Sequence, residues 1–282
     1  MGEQVRVGEE ARAAEIESEG VREVRPDLAY QRLAIVNVIY VGAPGSGSGW
    51  VLIDAGVAGS AALILRSVHS RFGEGAKPTA IVLTHGHFDH VGALRTLAER
   101  WEVPIYADSL EHPYLDGSTS YPPPDPSVGG GLMATLSRFY PRGPIDVSPW
   151  LHTLPADGSI PGLPHWRWIH TPGHTRGHVS LWREADRSLL AGDAFVTTKQ
   201  ESAYAVAVQR PELHGPPMYF TEDWAAAGES VRVLAELEPA IVVTGHGRAL
   251  EGAEMRSALH TLAREFDRVA VPETRRGQDI QS

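Results

Sequence analysis

A dense group of metal-ligand side chains follows a short apolar run near residue 80. The chain reads HGHFDH from His85 to His90, directly after the run TAIVLT, which is typical of a buried strand. Residues two apart in an extended or turning segment project to one side, so His85 and His87 can bind the same ion. Asp89 and His90 stand where a helix is predicted to begin and can face a second ion. Imidazole and carboxylate suit Zn, Mn, Fe or Co, so the segment predicts a metal centre.

Three more ligand-type residues close apolar runs later in the chain. His174 lies in TPGHTRGH, Asp193 ends LLAGD, and His246 lies in IVVTGHG. In open α/β folds, sites form beyond the carboxyl ends of strands, where several loops meet. The glycine before each residue lets the backbone approach a crowded centre. Each residue taken alone is more often a surface or core residue, but together with the first group they indicate one site.

Composition and charge narrow the function classes. The 282 residues are 42% apolar and 21% charged, which is enough to form a sizeable core. The chain has no cysteine, which excludes disulfides, zinc–thiolate sites and a cysteine nucleophile. A formal net charge of −10 argues against a dedicated nucleic-acid binder. No run is long enough to span a membrane and the N-terminus lacks the apolar part of a secretory signal, so the sequence predicts a cytoplasmic protein without membrane contact.

The pattern predicts one main domain with two tails. Residues 1–20 are expected to be a charged tail or short helix, with disorder as the alternative, and residues 271–282 a C-terminal tail. Residues 21–270 are expected to form a single domain. Residues 113–149 hold eight of the 21 prolines and are expected to be a lid-like insertion. This insertion and the loop after Asp193 are predicted to form the walls of a substrate cleft.

Hydrophobic periodicity predicts the main elements. Helices are predicted at 60–72 and at 223–237. A further helix is predicted directly after the HGHFDH segment, and another near the C-terminus, with apolar residues from Met255 to Val269. Strands are predicted at 32–42, 49–56, 79–84, 165–170, 178–182, 188–191 and 240–244.

The motifs HxHxDH, GH, GD and GH, in this order, resemble those of the metallo-β-lactamase-fold hydrolase superfamily over roughly residues 25–250. The resemblance implies an α/β fold, an αβ/βα sandwich of two mixed β-sheets with helices outside. It also implies two divalent metal ions at one edge of the sandwich, with Zn expected first and Mn, Fe or Co as alternatives. The implied ligands are His85, His87 and His174 for the first metal, Asp89, His90 and His246 for the second, and Asp193 as the bridge.

Departures from family patterns narrow the branch. Flavodiiron-type members usually carry Glu where His87 stands, so that branch is disfavoured. The β-lactamases with a cysteine ligand are excluded, because the chain has no cysteine. The bridging Asp193 favours the lactonase and glyoxalase-II-like side. The acyl-homoserine lactonases are similar in size and ligand set, but the tyrosine they carry three residues after the bridging Asp is Val196 here. The candidate substrate-binding residues are Tyr204, Tyr219 and Phe195.

Two further residues are expected to support the ligands. Asp54 ends the run WVLID, where the family usually has a carboxylate near the metal site. A metal-bound imidazole needs a partner for its other nitrogen, and a carboxylate serves. A strand-end aspartate that caps a turn is the alternative. His178, four residues after His174, is expected to form a hydrogen bond or pack rather than bind metal.

The predicted activity is metal-dependent hydrolysis with a metal-bridging hydroxide, on a carboxylic ester or lactone. Asp89 is the expected catalytic residue, passing a proton to the leaving group. The alternatives are a phosphodiesterase or nuclease, a thioesterase, a β-lactamase-like activity, or a metal-bearing scaffold without activity. The expected partner is a small-molecule substrate, with no nucleic acid, and a homodimer is the candidate assembly.

Overall fold

A computed structural model describes residues 4–47 and 49–276. The outer residues of both predicted tails, 1–3 and 277–282, lie outside this range. Across the described residues the strands are β1 Val5–Arg6, β2 Ile16–Ser18, β3 Val21–Arg25, β4 Leu28–Leu33, β5 Val36–Val41, β6 Val51–Ile53, β7 Ala80–Val82, β8 Ile105–Ala107, β9 Leu151–Thr153, β10 Arg167–His170, β11 Val179–Arg183, β12 Ser188–Gly192, β13 Glu212–Leu213, β14 Ile241–Thr244 and β15 Leu250–Glu251. The α-helices are α1 Ala61–Phe72, α2 Phe88–Val91, α3 Leu94–Trp101, α4 His112–Leu115, α5 Leu132–Leu136, α6 Ala203–Val208, α7 Trp224–Glu236, α8 Gly252–Arg264 and α9 Phe266–Val269. Short 3-10 turns occur at Glu9–Ala11, Ser137–Phe139, Ser148–Trp150 and Met218–Phe220.

Two compact units divide the chain. The first unit comprises Ala14–Tyr121 and Pro141–Trp168. The second unit comprises the described residues before Ala14, then Pro122–Tyr140, and the described residues from Ile169 onward. Both the stretch predicted as one domain and the proline-rich insertion are therefore shared between the two units.

The first unit is built on an eight-stranded mixed sheet in the order β2 to β9. Strands β2 to β6 pair antiparallel, and β6 to β9 pair parallel. Strands β5, β6 and β7 are buried along their whole length, as their β-branched runs predict. Helix α3 buries Leu94, Leu97, Ala98 and Trp101, whose spacing places them on one face. These residues belong to an apolar core that also contains Leu83 and Val91, which lie just before and just after the HGHFDH segment in sequence.

The second unit is built on a five-stranded mixed sheet in the order β10-β11-β12-β14-β15. Strands β12 and β14 are parallel neighbours, so their carboxyl ends lie at the same edge of the sheet. Asp193 follows β12 directly, and His246 comes two residues after β14. Helix α7 begins at Asp223, whose side chain accepts the N–H of Ala226 at 2.9 Å, as an N-cap does.

The observed elements confirm most of the predicted ones. The prediction of a single strand over 32–42 was wrong, because the chain makes a hairpin there. Strands β4 and β5 meet at Ala34, which has a positive φ of 58°. In the predicted N-terminal tail, β1 pairs antiparallel with β13, and Ala11 is buried. No helix within the described residues is long and apolar enough to cross a membrane.

Candidate metal centre

Four ligand-type side chains of the first unit are gathered after β7. His85, His87, Asp89 and His90 are all buried, with 6% exposure at most. Nε2 of His85 lies 3.0 Å from Nδ1 of His87, and the rings of His85 and His90 have centroids 4.1 Å apart. Asp89 and His90 each offer a ligand atom within 4.8 Å of the other. The segment therefore turns its ligand atoms toward one another.

Thr84 fixes which nitrogen of His85 can bind metal. The Thr84 hydroxyl donates to Oδ2 of Asp54 at 2.8 Å and lies 3.0 Å from Nδ1 of His85. Because its one proton goes to Asp54, the hydroxyl accepts the Nδ1–H of His85. The Nε2 lone pair of His85 is then the ligand, and it points to His87.

Asp54 supports a second histidine as well. Its Oδ2 accepts Nδ1–H of His90 at 2.8 Å, and its Oδ1 accepts the backbone N–H of Thr84 at 2.8 Å. Asp54 has a positive φ of 59°, which is uncommon for a residue with a side chain. A carboxylate in this contact fixes the ring orientation and raises the basicity of Nε2, the remaining nitrogen of His90.

Glu111 and Tyr121 hold the backbone between the first two histidines. The N–H of Gly86 lies 2.9 Å from both Oε2 of Glu111 and the hydroxyl of Tyr121, and the hydroxyl in turn donates to Glu111. Burial, and then the negative charge of Glu111, raises the pKa of Tyr121 well above its usual value, so the phenol keeps its proton. The Tyr121 ring also lies 4.5 Å from the ring of His87. Sequence reasoning missed both residues, since neither lies in a recognisable motif.

The second unit brings together the other three ligand residues. One carboxylate oxygen of Asp193, Oδ2, lies 3.1 Å from Nε2 of His246 and 3.5 Å from Nε2 of His174. All three side chains are buried. Residues separated by up to 72 positions in the chain are thus placed around one carboxylate by the loops that follow β10, β12 and β14.

Two neighbours orient this second group. Thr221 donates its hydroxyl proton to the carbonyl of Pro217 at 2.8 Å, so it accepts Nδ1–H of His174 at 3.2 Å and leaves Nε2 for metal. His178 accepts the backbone N–H of Asp193 on its Nε2 at 2.9 Å. His178 thus contacts a ligand residue through the backbone.

The spacing of the ligand atoms suits a divalent transition metal. Two ligands at about 2.0–2.1 Å from a tetrahedral ion lie about 3.3 Å apart. In the first group, Nε2 of His85 and Nδ1 of His87 are 3.0 Å apart. In the second group, Oδ2 of Asp193 lies 3.1 Å from Nε2 of His246 and 3.5 Å from Nε2 of His174. Neutral imidazoles and carboxylates are also the ligand types that such ions take. Both groups therefore fit a metal by chemistry and by distance.

The three candidate substrate-binding residues differ in their surroundings. Tyr204 lies on α6 and is 65% exposed, whereas Tyr219 is 4% exposed and Phe195 is fully buried. The Tyr219 ring lies 6.0 Å from that of Tyr140 and 5.2 Å from that of Phe220. Their contact with a substrate stays a prediction.

Comparison with known proteins identifies the family of this chain. The family model of the metallo-beta-lactamase superfamily matches residues 32–246. The chain is 48% identical over 235 residues to the probable metallo-hydrolase YflN of Bacillus subtilis, covering 83% of this chain and 89% of that protein. It is 30% identical over 173 residues to the probable metallo-hydrolase YybB of the same organism, covering 61% of this chain and 66% of that protein.

A solved structure is also similar. TTHA1623, determined in a di-iron-bound form, aligns with a TM-score of 0.53 at 25% identity, covering 83% of this chain and 96% of that one. The match of the family model to most of the chain, together with the YflN relative, identifies the family. The chain belongs to the metallo-beta-lactamase superfamily and is a metal-dependent hydrolase of that fold.

Proposed function

We propose that this chain is a dinuclear hydrolase that cleaves carboxylic esters or lactones. In this proposal His85, His87, Asp89 and His90 of the first unit and His174, Asp193 and His246 of the second unit would hold two divalent ions, and Asp193 would be the shared ligand. The observation that carries the proposal is the pair of contacts at Oδ2 of Asp193, because one oxygen faces ring nitrogens of both His174 and His246. Zinc is the first candidate because imidazole and carboxylate suit it, and iron is the second because TTHA1623 has a di-iron-bound form.

Two such ions supply a hydroxide nucleophile at neutral pH and polarise the bond that is cleaved. The surrounding residues keep the ligands ready for this. Thr84, Asp54 and Thr221 hold the Nδ1–H groups of three histidines, so that Nε2 of each is directed to metal without a change of tautomer. This ordering of the ligands is set by the fold before any substrate binds.

Asp89 is the proposed proton carrier. It is 6% exposed and follows two of the histidine ligands, His85 and His87, within the same segment. When an ester or lactone is cleaved, the leaving alkoxide is basic and needs a proton, and a carboxyl group in reach lowers that barrier. A small-molecule substrate suits the chain's net charge of −10, which would repel a nucleic-acid backbone.

A hydrolysis screen on protein of defined metal content tests the proposal. The substrates are a carboxylic ester, a lactone, a thioester, a β-lactam and a phosphodiester, each assayed with the wild type and with His85→Ala. We expect turnover of the ester and the lactone that His85→Ala abolishes. The matched control is His69→Ala, since His69 is an exposed histidine on α1.

The screen separates the alternatives. Faster turnover of the phosphodiester, with a steep fall in rate as salt increases, would replace the ester or lactone assignment by a phosphodiesterase. Bound metal without turnover of the ester and the lactone would overturn the proposed substrate class.

A further inference from the structure

Glu201 is a buried carboxylate that contacts two separate segments of the second unit. It is 3% exposed and lies eight residues after Asp193. Its backbone carbonyl accepts the N–H of Met133 at 3.2 Å, and its Oε1 accepts the N–H of Met218 at 2.8 Å. One residue thus joins the insertion to the turn Met218–Phe220.

The insertion passes very close to Glu201. A Cβ on Gly131 would lie 1.9 Å from the Glu201 carbonyl oxygen, and one on Gly129 would lie 2.3 Å from Cγ of Glu201. Gly129 also has a positive φ of 73°. The two glycines are therefore required where the chain crosses Glu201, because any side chain would push the segments apart.

The turn on the other side of Glu201 leads to a metal ligand. Thr221, directly after Met218–Phe220, accepts Nδ1–H of His174. The insertion touches the same turn again, since the N–H of Asp125 donates to the carbonyl of Tyr219 at 2.8 Å. Glu201 therefore lies within a continuous series of contacts that runs from the insertion to His174.

Two large apolar side chains of the insertion are exposed in the stretch that contains Met133. Leu132 is 59% exposed and Phe139 is 70% exposed. Leu132 and Phe139 are therefore available to contact the apolar part of a substrate. Holding this backbone in place would reduce the cost of ordering the segment when a substrate binds.

We propose that Glu201 is a positioning residue, which fixes the insertion against the turn Met218–Phe220 and so sets the wall that the substrate meets. It acts through these segments and does not touch the reacting atoms. Its kinetic consequence rests on the proposed hydrolase function. Its structural consequence does not, because the contacts exist whatever the substrate is.

The test compares Glu201→Ala, which removes the acceptor for Met218, with Glu201→Gln, which keeps an amide oxygen there. Hydrogen exchange is measured by mass spectrometry over residues 129–139 and 217–221, together with metal content, thermal stability, kcat and KM. We expect Glu201→Ala to speed exchange in 217–221 by about tenfold, the usual effect of losing one buried hydrogen bond. Exchange in 129–139 should rise less, because Met133 still donates to the backbone carbonyl of residue 201. We expect the KM of Glu201→Ala to rise more than its kcat falls, with metal content unchanged, and Glu201→Gln to stay close to wild type.

Glu254→Ala is the matched control. Glu254 also accepts a backbone N–H, that of Gly8 at 2.6 Å, but it is an exposed residue of α8 whose partner lies outside the insertion. It should leave both stretches unchanged. Gly131→Ala is a second variant for the case that Glu201→Ala does not fold, and it should speed exchange in the same two stretches.

Unchanged exchange in 217–221 with Glu201→Ala or Gly131→Ala would overturn the proposal, as would equal effects of the Ala and Gln variants. A wild type without hydrolytic activity would refute the proposed function alone, since the exchange measurement still decides the role of Glu201.

Discussion

The backbone N–H of Asp193 donates a hydrogen bond of 2.9 Å to Nε2 of His178. On the other side of the ring, Nδ1 of His178 contacts the hydroxyl and the carbonyl of Thr171, at 2.8 and 3.1 Å. The His178 ring is therefore neutral. Its Nδ1 carries the proton, and the lone pair of its Nε2 accepts the backbone N–H of Asp193. This contact fixes the backbone from which the Asp193 carboxylate projects.

Replacing His178 should weaken metal binding although His178 is not a ligand. In His178→Phe the buried N–H of Asp193 has no acceptor, which costs about 1–3 kcal/mol of unfolding free energy. Loss of such a supporting contact typically lowers metal affinity about 10–100-fold. Urea unfolding and metal titration measure the two effects, and the exposed His152→Phe is the control. An unchanged metal affinity would show that Asp193 is held by its other contacts.

The metal stoichiometry should be close to two per chain. The two ligand groups offer seven side chains, which is enough for two ions that share one carboxylate. Elemental analysis of protein purified without chelator and then saturated with Zn or Mn gives the number directly. A value of one at saturation would contradict the dinuclear centre.

Asp193→Asn should weaken the binding of both metals. The substitution keeps the size of the side chain but removes the negative charge that lies beside His174 and His246. Turnover should fall with metal content. Full activity with both metals retained would mean that Asp193 is not the bridge.

Asp89→Asn should affect substrates according to their leaving group. A proton donor helps only when the leaving alkoxide is basic, and this help is typically about 10²–10⁴-fold. The kcat on alkyl esters or lactones should therefore fall much more than the kcat on nitrophenyl esters. Equal losses at matched metal occupancy would leave Asp89 as a ligand without a role in proton transfer.

The pair of Glu212 and His214 should make stability depend on acid pH. Burial raises the pKa of Glu212, but the hydrogen bond and charge of His214, and then the N–H and charge of Lys199, lower it below its ordinary value of 4.5. A carboxyl group with a lowered pKa stabilises the fold above its unfolded pKa, and this stability is lost as pH falls through the folded pKa. Wild-type protein should therefore lose more stability between pH 7 and pH 3 than Glu212→Gln, as measured by urea unfolding. Parallel curves for the two proteins would refute this role.

The sequence predicts those parts of the fold in which periodicity is unbroken. Helix α1 and strand β7 lie within two residues of their predicted limits, because each is an apolar pattern bounded by turn signals. Strand β3, with the sequence VREVR, was not predicted because three of its five residues are charged. The turn at Ala34 was missed because alanine rarely adopts a positive φ.

The candidate site likewise contains residues that the sequence predicts and residues that it does not. Its ligand residues could be predicted because they stand in short motifs at strand ends. Two of the supporting residues were predicted, Asp54 from the family pattern and His178 from its position four residues after His174. Glu111 contacts Gly86, which is 25 residues away in sequence, and Thr221 contacts His174, which is 47 residues away. No local sequence pattern reveals contacts of this kind.

The closeness of Gly86 to Tyr121 also limits how this site can be changed. The pattern HxHxDH leaves two positions variable, 86 and 88, and the pattern alone does not distinguish them. A Cβ at Gly86 would lie 2.7 Å from the Tyr121 hydroxyl and 3.4 Å from Oε2 of Glu111, whereas Phe88 is partly exposed. Mutagenesis within the motif is therefore best directed at Phe88, because a side chain at position 86 would displace the Tyr121 hydroxyl, which contacts the backbone N–H between the first two histidines.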